Sequence, residues 1–147
     1  DIHARAAVQL GAAWAGLAIE NAMLGATHGA ANPLTAKYKV AHGQAVGLML
    51  PHVIRFNGPV AQEQYAELAA IAGLNTKTPD AALANWMHDL LGQAGLFRSL
   101  GDVIGTQPTM SEIEQLANEA SAQWTSSFNP RPCLSADFID LYQRASA

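Results

Sequence analysis

Charge is scarce in this chain. Asp, Glu, Lys and Arg make up 14% of its 147 residues, against about a quarter in an average domain. The basic residues form no stripe and the formal net charge is −4, so the electrostatic footprint of a nucleic-acid binder is missing. So few charges imply a surface partly covered by another domain, a second subunit or both, and a homo-oligomer is expected. Cysteine is nearly absent. Cys133 stands alone, which rules out an internal disulfide and fits a reducing compartment. No basic start leads into an apolar run with a cleavage site, so a cytoplasmic location is expected. Residues 6–19 are apolar except for Gln9, but the run is short of the roughly 20 residues that cross a bilayer. It reads as a helix buried in protein, with no membrane partner. Period-two alternation of β-branched residues is also missing, which excludes a sheet-based fold.

What remains is helical spacing, punctuated by caps. Asp1 is placed to cap a helix running to about Leu24. A second helical stretch carries His28 and ends near Tyr38, with a bend or break expected at Pro33. The segment 42–57 reads as a third helix, interrupted or restarted around Pro51. Asn57-Gly58-Pro59 makes a turn, and a helix over about 60–72 ends at Gly73. Thr78-Pro79 has the N-cap-plus-proline form of a helix start. It opens a stripe of Leu83, Trp86, Met87, Leu90, Leu91 and Ala94 at three-four spacing. Residues 95–108 are a glycine-bearing connection with room for one short helix. Thr109 and Glu112 have capping-box spacing and precede Ile113, Leu116, Ala117, Ala120 and Trp124. Asn129-Pro130-Arg131-Pro132 cannot be helical throughout. Ser135 is placed to cap a last helix with Phe138, Leu141, Tyr142 and Ala145 inward. The expectation is a single all-α domain over 1–147, a bundle of six to eight helices.

The chemistry-bearing segment is His28-Gly29-Ala30-Ala31-Asn32-Pro33, continuing to His42-Gly43. Two histidines lie fourteen residues apart, each among small residues that let a ligand approach the backbone closely. That spacing cannot put both on one helical face, so they must come from two elements packed together. Taken alone, two histidines in an Ala/Gly-rich setting are more often buried and hydrogen-bonded than ligating.

The segment resembles the metal-binding signature of the iron-containing alcohol dehydrogenases. The likeness continues downstream through His42-Gly43-Gln44-Ala45-Val46-Gly47-Leu48-Met49-Leu50-Pro51-His52-Val53-Ile54-Arg55-Phe56-Asn57. Upstream it takes in Ala15–Ala22 and Gly25, and it reappears in Asn129-Pro130-Arg131-Pro132. It implies a multi-helix bundle, the dehydroquinate synthase-like C-terminal domain of that family. It also implies that His28 and His42 are two ligands of a metal held by one aspartate and three histidines, a donor set that suits Fe(II) and accepts Zn(II). The reaction implied is NAD(P)-dependent interconversion of a small alcohol and an aldehyde, with the metal as Lewis acid.

The resemblance also marks departures. The family's aspartate and its histidine four residues later lie well upstream of the first matched histidine, and nothing in this chain corresponds to them. Asp1 and His3 are two apart and read as a terminal cap and a solvent-facing side chain. The glycine-rich turn of a nucleotide-binding βα unit is absent. The N-terminal nucleotide-binding domain and the upstream part of the helical domain are therefore expected to be missing. The chain alone is expected to be inactive and to carry no metal or only adventitious metal. Asn32 stands where many members have a histidine near nicotinamide and substrate. It is assigned to the cofactor side, but an amide cannot exchange a proton near neutral pH. His52 reads as structural or as support for the ligands, and His88 as a boundary residue. Cys133 reads as inert, and Asn21 and Gly25 as weak candidates for a pocket wall. Trp14, Trp86 and Trp124 are assigned to the core because each falls on an apolar stripe. The competing function is a helical interaction or oligomerisation module that has kept the fold and lost the enzyme. A third possibility is a metal site assembled between two chains.

Overall fold

Asp1 Oδ1 accepts from the His3 backbone N–H at 2.9 Å and starts the first helix as its side-chain cap. The computed structural model describes residues 1–146. Among them are eight α-helices, two 3₁₀ turns and no strand. The helices are α1 (Ile2–Ala22), α2 (Ala26–Tyr38), α3 (His42–Asn57), α4 (Gln62–Ile71), α5 (Pro79–Gln93), α6 (Leu100–Ile104), α7 (Met110–Ser121) and α8 (Ser135–Ala145), with 3₁₀ turns at Gly58–Val60 and Trp124–Phe128. This is the all-α bundle that the spacing predicts.

The main core lies between α2, α3, α7 and α8. Ala30, Ala31, Leu34, Leu48, Met49, Leu116, Phe138 and Tyr142 are among its fully buried members. Tyr142 sits deep in it, and its hydroxyl donates to the carbonyl of Ala30 at 2.7 Å. That bond satisfies a buried donor and ties α8 to α2. A smaller cluster of Ile54, Ala69, Leu83 and Ala84 joins α3, α4 and α5.

Both internal prolines are carried without a break, contrary to expectation. α2 runs through Pro33 and α3 through Pro51. A helical proline crowds the carbonyl four residues earlier, and in both cases that residue is a glycine, Gly29 or Gly47. The two glycines have a second use. A Cβ on Gly29 would overlap Ser126 Oγ, and one on Gly47 would meet Leu91 Cδ2 at 2.9 Å. They allow the Trp124–Phe128 turn and α5 to pack closely.

Several local expectations are corrected. α1 ends at Ala22, and none of its residues is buried. It presents Val8, Leu10, Trp14, Leu17 and Ile19 to solvent, so the apolar run is not a buried helix within this chain. Trp14, Trp86 and Trp124 are all exposed. Trp124 packs edge-on against Phe128 at 5.8 Å on the surface. A large ring on an apolar stripe reaches past the helix contact it flanks, and α1 has no such contact. Ser135 is the first helical residue of α8 and not its cap. Its hydroxyl bonds Asn118 Oδ1, while the Asp137 carboxylate accepts from the Leu134 N–H at 2.8 Å. Thr78 occupies the N-cap position of α5 without bonding its first turn, because its hydroxyl pairs with Thr76. The Thr109–Glu112 capping box forms as read, and α6 has a second one from Ser99 and Asp102.

Candidate metal centre

His28 lies in the first turn of α2 and His42 is the first residue of α3. Lys39 ends α2 in the left-handed conformation, with φ of 58°, which lets the chain reverse within three residues. The reversal brings the two imidazoles together. Their ring centroids are 5.4 Å apart with planes inclined at 45°. A simple estimate gives this distance meaning. Two imidazoles bound to one tetrahedral ion through ~2.1 Å metal–nitrogen bonds would have centroids about 5.2 Å apart. The observed centroid separation is close to that value.

The environment prepares both rings. Burial, followed by the neighbouring His42, lowers the pKa of His28 below the ordinary imidazole value. His28 is thus biased toward the neutral form that a cation requires. His42 is exposed, and its Nδ1 lies 3.4 Å from Thr35 Oγ1, a long contact that leaves Nε2 free. Groups beside a ligating histidine commonly orient it in this way. Among the described residues no third His, Cys, Asp or Glu joins the pair in a group able to hold a metal. Asp1 and His3 belong to the α1 cap.

Asn32 lies one helical turn beyond His28. Its amide donates to Gln123 Oε1 at 2.9 Å, across an open cleft of about 520 Å³ between α2 and the end of α7. The other sequence candidates are dispersed. Asn21 bonds its own helix at Leu17 O. His88 accepts from Arg98 Nε at 3.0 Å, as fits a boundary residue. Cys133 is held protonated, its pKa pushed up to about 12 by burial and then by Asp137. The thiol is inert on this ground as well.

What the sequence reading missed is the clamp that seats α2. Asn129 Oδ1 accepts from the Ala26 N–H at 3.2 Å and from Asn57 Nδ2 at 3.1 Å. Its Nδ2 donates to Asn57 Oδ1 at 2.7 Å and to Arg131 O at 2.6 Å. Arg131 in turn donates to Phe56 O at 2.9 Å and lies 4.0 Å over the Phe56 ring. Gly25 permits the approach, since a Cβ there would stand 3.0 Å from Asn129 Oδ1. The segment that could not be helical thus supplies a side-chain cap to α2 and joins its start to the end of α3. Both Asn57 and Asn129 fall inside motifs legible in the sequence, but their mutual pairing spans 72 residues and has no local signature.

Comparison with known proteins decides the parentage. Residues 1–146 match the C-terminal model of the Fe-containing alcohol dehydrogenase family. The chain belongs to this family. It is similar to the lactaldehyde reductase of Escherichia coli K12, with 31% identity over 99% of this chain and 38% of that protein. Its fold is similar to the iron-containing alcohol dehydrogenase of Thermococcus thioreducens, with a TM-score of 0.82, 28% identity and coverage of 99% of this chain and 38% of that one. A sulfoacetaldehyde reductase from Bifidobacterium kashiwanohense, solved in complex with NAD+, aligns with a TM-score of 0.69 at 25% identity over 84% of this chain and 31% of that chain. The chain therefore spans less than two-fifths of the length of these relatives and corresponds to the family's C-terminal domain. No helix among the described residues is long and apolar enough to cross a membrane.

Proposed function

We propose that this domain is the metal-holding part of an NAD(P)-dependent oxidoreductase acting on a small alcohol or aldehyde, with His28 and His42 as two of the metal's protein ligands. The observation that carries the reading is the 5.4 Å approach of the two rings. The residues present fit half of an N/O donor set for Fe(II) or Zn(II), and two further donors and the nucleotide-binding domain complete it from elsewhere. When bound, the metal supplies Lewis acidity toward the substrate oxygen.

The chain's own residues set up that chemistry. The Asn129 clamp fixes the start of α2, and with it His28. Thr35 limits the rotation of the His42 ring. Gln123 holds the Asn32 amide, so Asn32 orients cofactor or substrate by hydrogen bonding and moves no proton. Hydride transfer requires cofactor and substrate held in contact, so the 147-residue chain alone is not expected to turn over alcohols. Cytoplasmic residence agrees with the single protonated Cys133. A purely structural module is disfavoured, since it has no use for two imidazoles held within reach of one ion.

Equilibrium dialysis tests the ligand assignment. Zn(II) or Ni(II) binds the chain weakly, completed by water, because two imidazoles compete poorly for iron and better for these ions. Loss of that binding in both His28→Ala and His42→Ala is the expected result. Equal binding by wild type and both variants would overturn the assignment. Metal-dependent NAD(P) reduction by the 147-residue chain, abolished by His28→Ala, would overturn the division of labour.

A further inference from the structure

A second cluster of titratable groups lies away from the histidine pair, between the latter part of α3 and α8. It surrounds a cavity of about 220 Å³ lined by His52, Arg55, Arg131 and Arg144 together with Asp137 and Asp140. The volume is several times the ~30 Å³ share of one water molecule in the liquid. His52 Nε2 is buried there without a hydrogen-bond partner.

The commitments of the surrounding groups define the chemistry that the cavity would suit. Asp140 Oδ2 already accepts from Arg144 Nε at 2.7 Å, and Asp137 Oδ2 from the Leu134 N–H. The guanidinium groups are far less committed. Each has five N–H donors. Arg144 spends its Nε on Asp140, and Arg131 one Nη1 bond on Phe56 O. Arg55 spends Nη2 on Asn85 Oδ1 at 2.6 Å and Nη1 on a long 3.5 Å contact with Ala81 O. Three guanidiniums line the cavity against two carboxylates, which leaves a net positive site with more unused donors than unused acceptors. That balance favours an anion over a cation or a neutral alcohol.

We propose that this cavity is a binding site for a small oxyanion, held by the free donors of Arg131 and Arg144 beside His52. Arginine forks match phosphate and carboxylate oxygens geometrically, and His52 is kept neutral by burial, its pKa brought down to about 4. The site is independent of the metal centre and does not rest on the proposed activity.

The test is a titration of the 147-residue chain with inorganic phosphate and, separately, acetate, at ionic strength held constant with chloride. The His52 ring resonances are followed by NMR, and heat by calorimetry. Saturable phosphate binding that shifts the His52 ring is expected. Saturation with acetate alone would instead assign a carboxylate. Arg144→Gln should weaken binding about tenfold or more, the usual effect of losing a charge-assisted bond. The Arg144 side chain is 58% exposed, so this change spares the core, and circular dichroism verifies the fold. Lys77→Gln removes the same charge from an exposed loop and should leave affinity unchanged. Absence of saturation with both anions, or equal weakening by Arg144→Gln and Lys77→Gln, would overturn the proposal.

Discussion

α1 and α8 are both apolar-bearing helices, and the fold uses them in opposite ways. α8 places Phe138, Leu141, Tyr142 and Ala145 on one side and buries them all. Its other side carries Asp140 and Arg144, which form an i,i+4 ion pair in solvent. α1 distributes Val8, Leu10, Trp14, Leu17 and Ile19 over more than one side and buries none of its 21 residues. A one-sided stripe is satisfied by a single neighbour. A helix apolar on several sides needs partners around it, and the described residues provide none. Stability in this chain is therefore concentrated in α2, α3, α7 and α8, and α1 contributes little of it.

The sharpest way to break that comparison is to truncate one ring on each side. Phe138→Ala empties the main core and is expected to cost about 3–5 kcal/mol. Trp14→Ala should change unfolding by no more than about 0.5 kcal/mol. Urea denaturation measures both. Equal losses would show that α1 is packed in solution.

Glycine substitutions sharpen it with a change of sign. Gly29→Ala drives a Cβ into Ser126 Oγ and is expected to destabilise by roughly 1–3 kcal/mol. Gly11→Ala in α1 meets nothing within 4 Å. It should raise helicity and stability by about 0.5–1 kcal/mol at most. Far-ultraviolet circular dichroism with thermal melts distinguishes the two.

The clamp gives a smaller effect in the packed region. Asn129→Ala leaves the Ala26 N–H and the Asn57 amide without their partner, at a cost of roughly 1–3 kcal/mol. Hydrogen exchange should rise first in the opening turn of α2, where His28 sits, and not in α8. Uniform acceleration would show that the clamp has no local role.

The weakest dependence is on pH. In the folded chain His52 titrates at about 4 rather than 6.5, mainly because it is buried. Between those values the unfolded chain binds more protons, so stability rises with pH across this window and falls on acidification toward 4. His52→Gln should flatten the curve there, as read from urea midpoints at several pH values.

Local chemistry in the sequence was legible where it closes on itself. The Asp1 cap, the Thr109–Glu112 box and the inward positions of α7 and α8 all follow from neighbours within four residues, and each has its expected partner. The histidine pair was legible only through the family resemblance, because spacing alone says that two elements must meet and not that they do. Ser135 failed as a cap because the helix starts one residue earlier, with Leu134 at the cap position, and the Ser135 hydroxyl is spent on Asn118 Oδ1. The tryptophans failed because a stripe marks which side a residue occupies, and burial also requires a neighbour on that side.

By itself, then, the sequence determined the helices, most of their ends and the family, since these depend on short-range bonding and on motif identity. Only the tertiary structure decided that Lys39 turns His42 back toward His28, that Asn129 caps a helix more than a hundred residues away, that both internal prolines sit in unbroken helices, and that α1 is left without cover. The Asn129 cap and the uncovered α1 turn on contacts, made or missing, between segments distant along the chain. Such contacts are set by how the faces of the helices fit together, which no local window of residues contains.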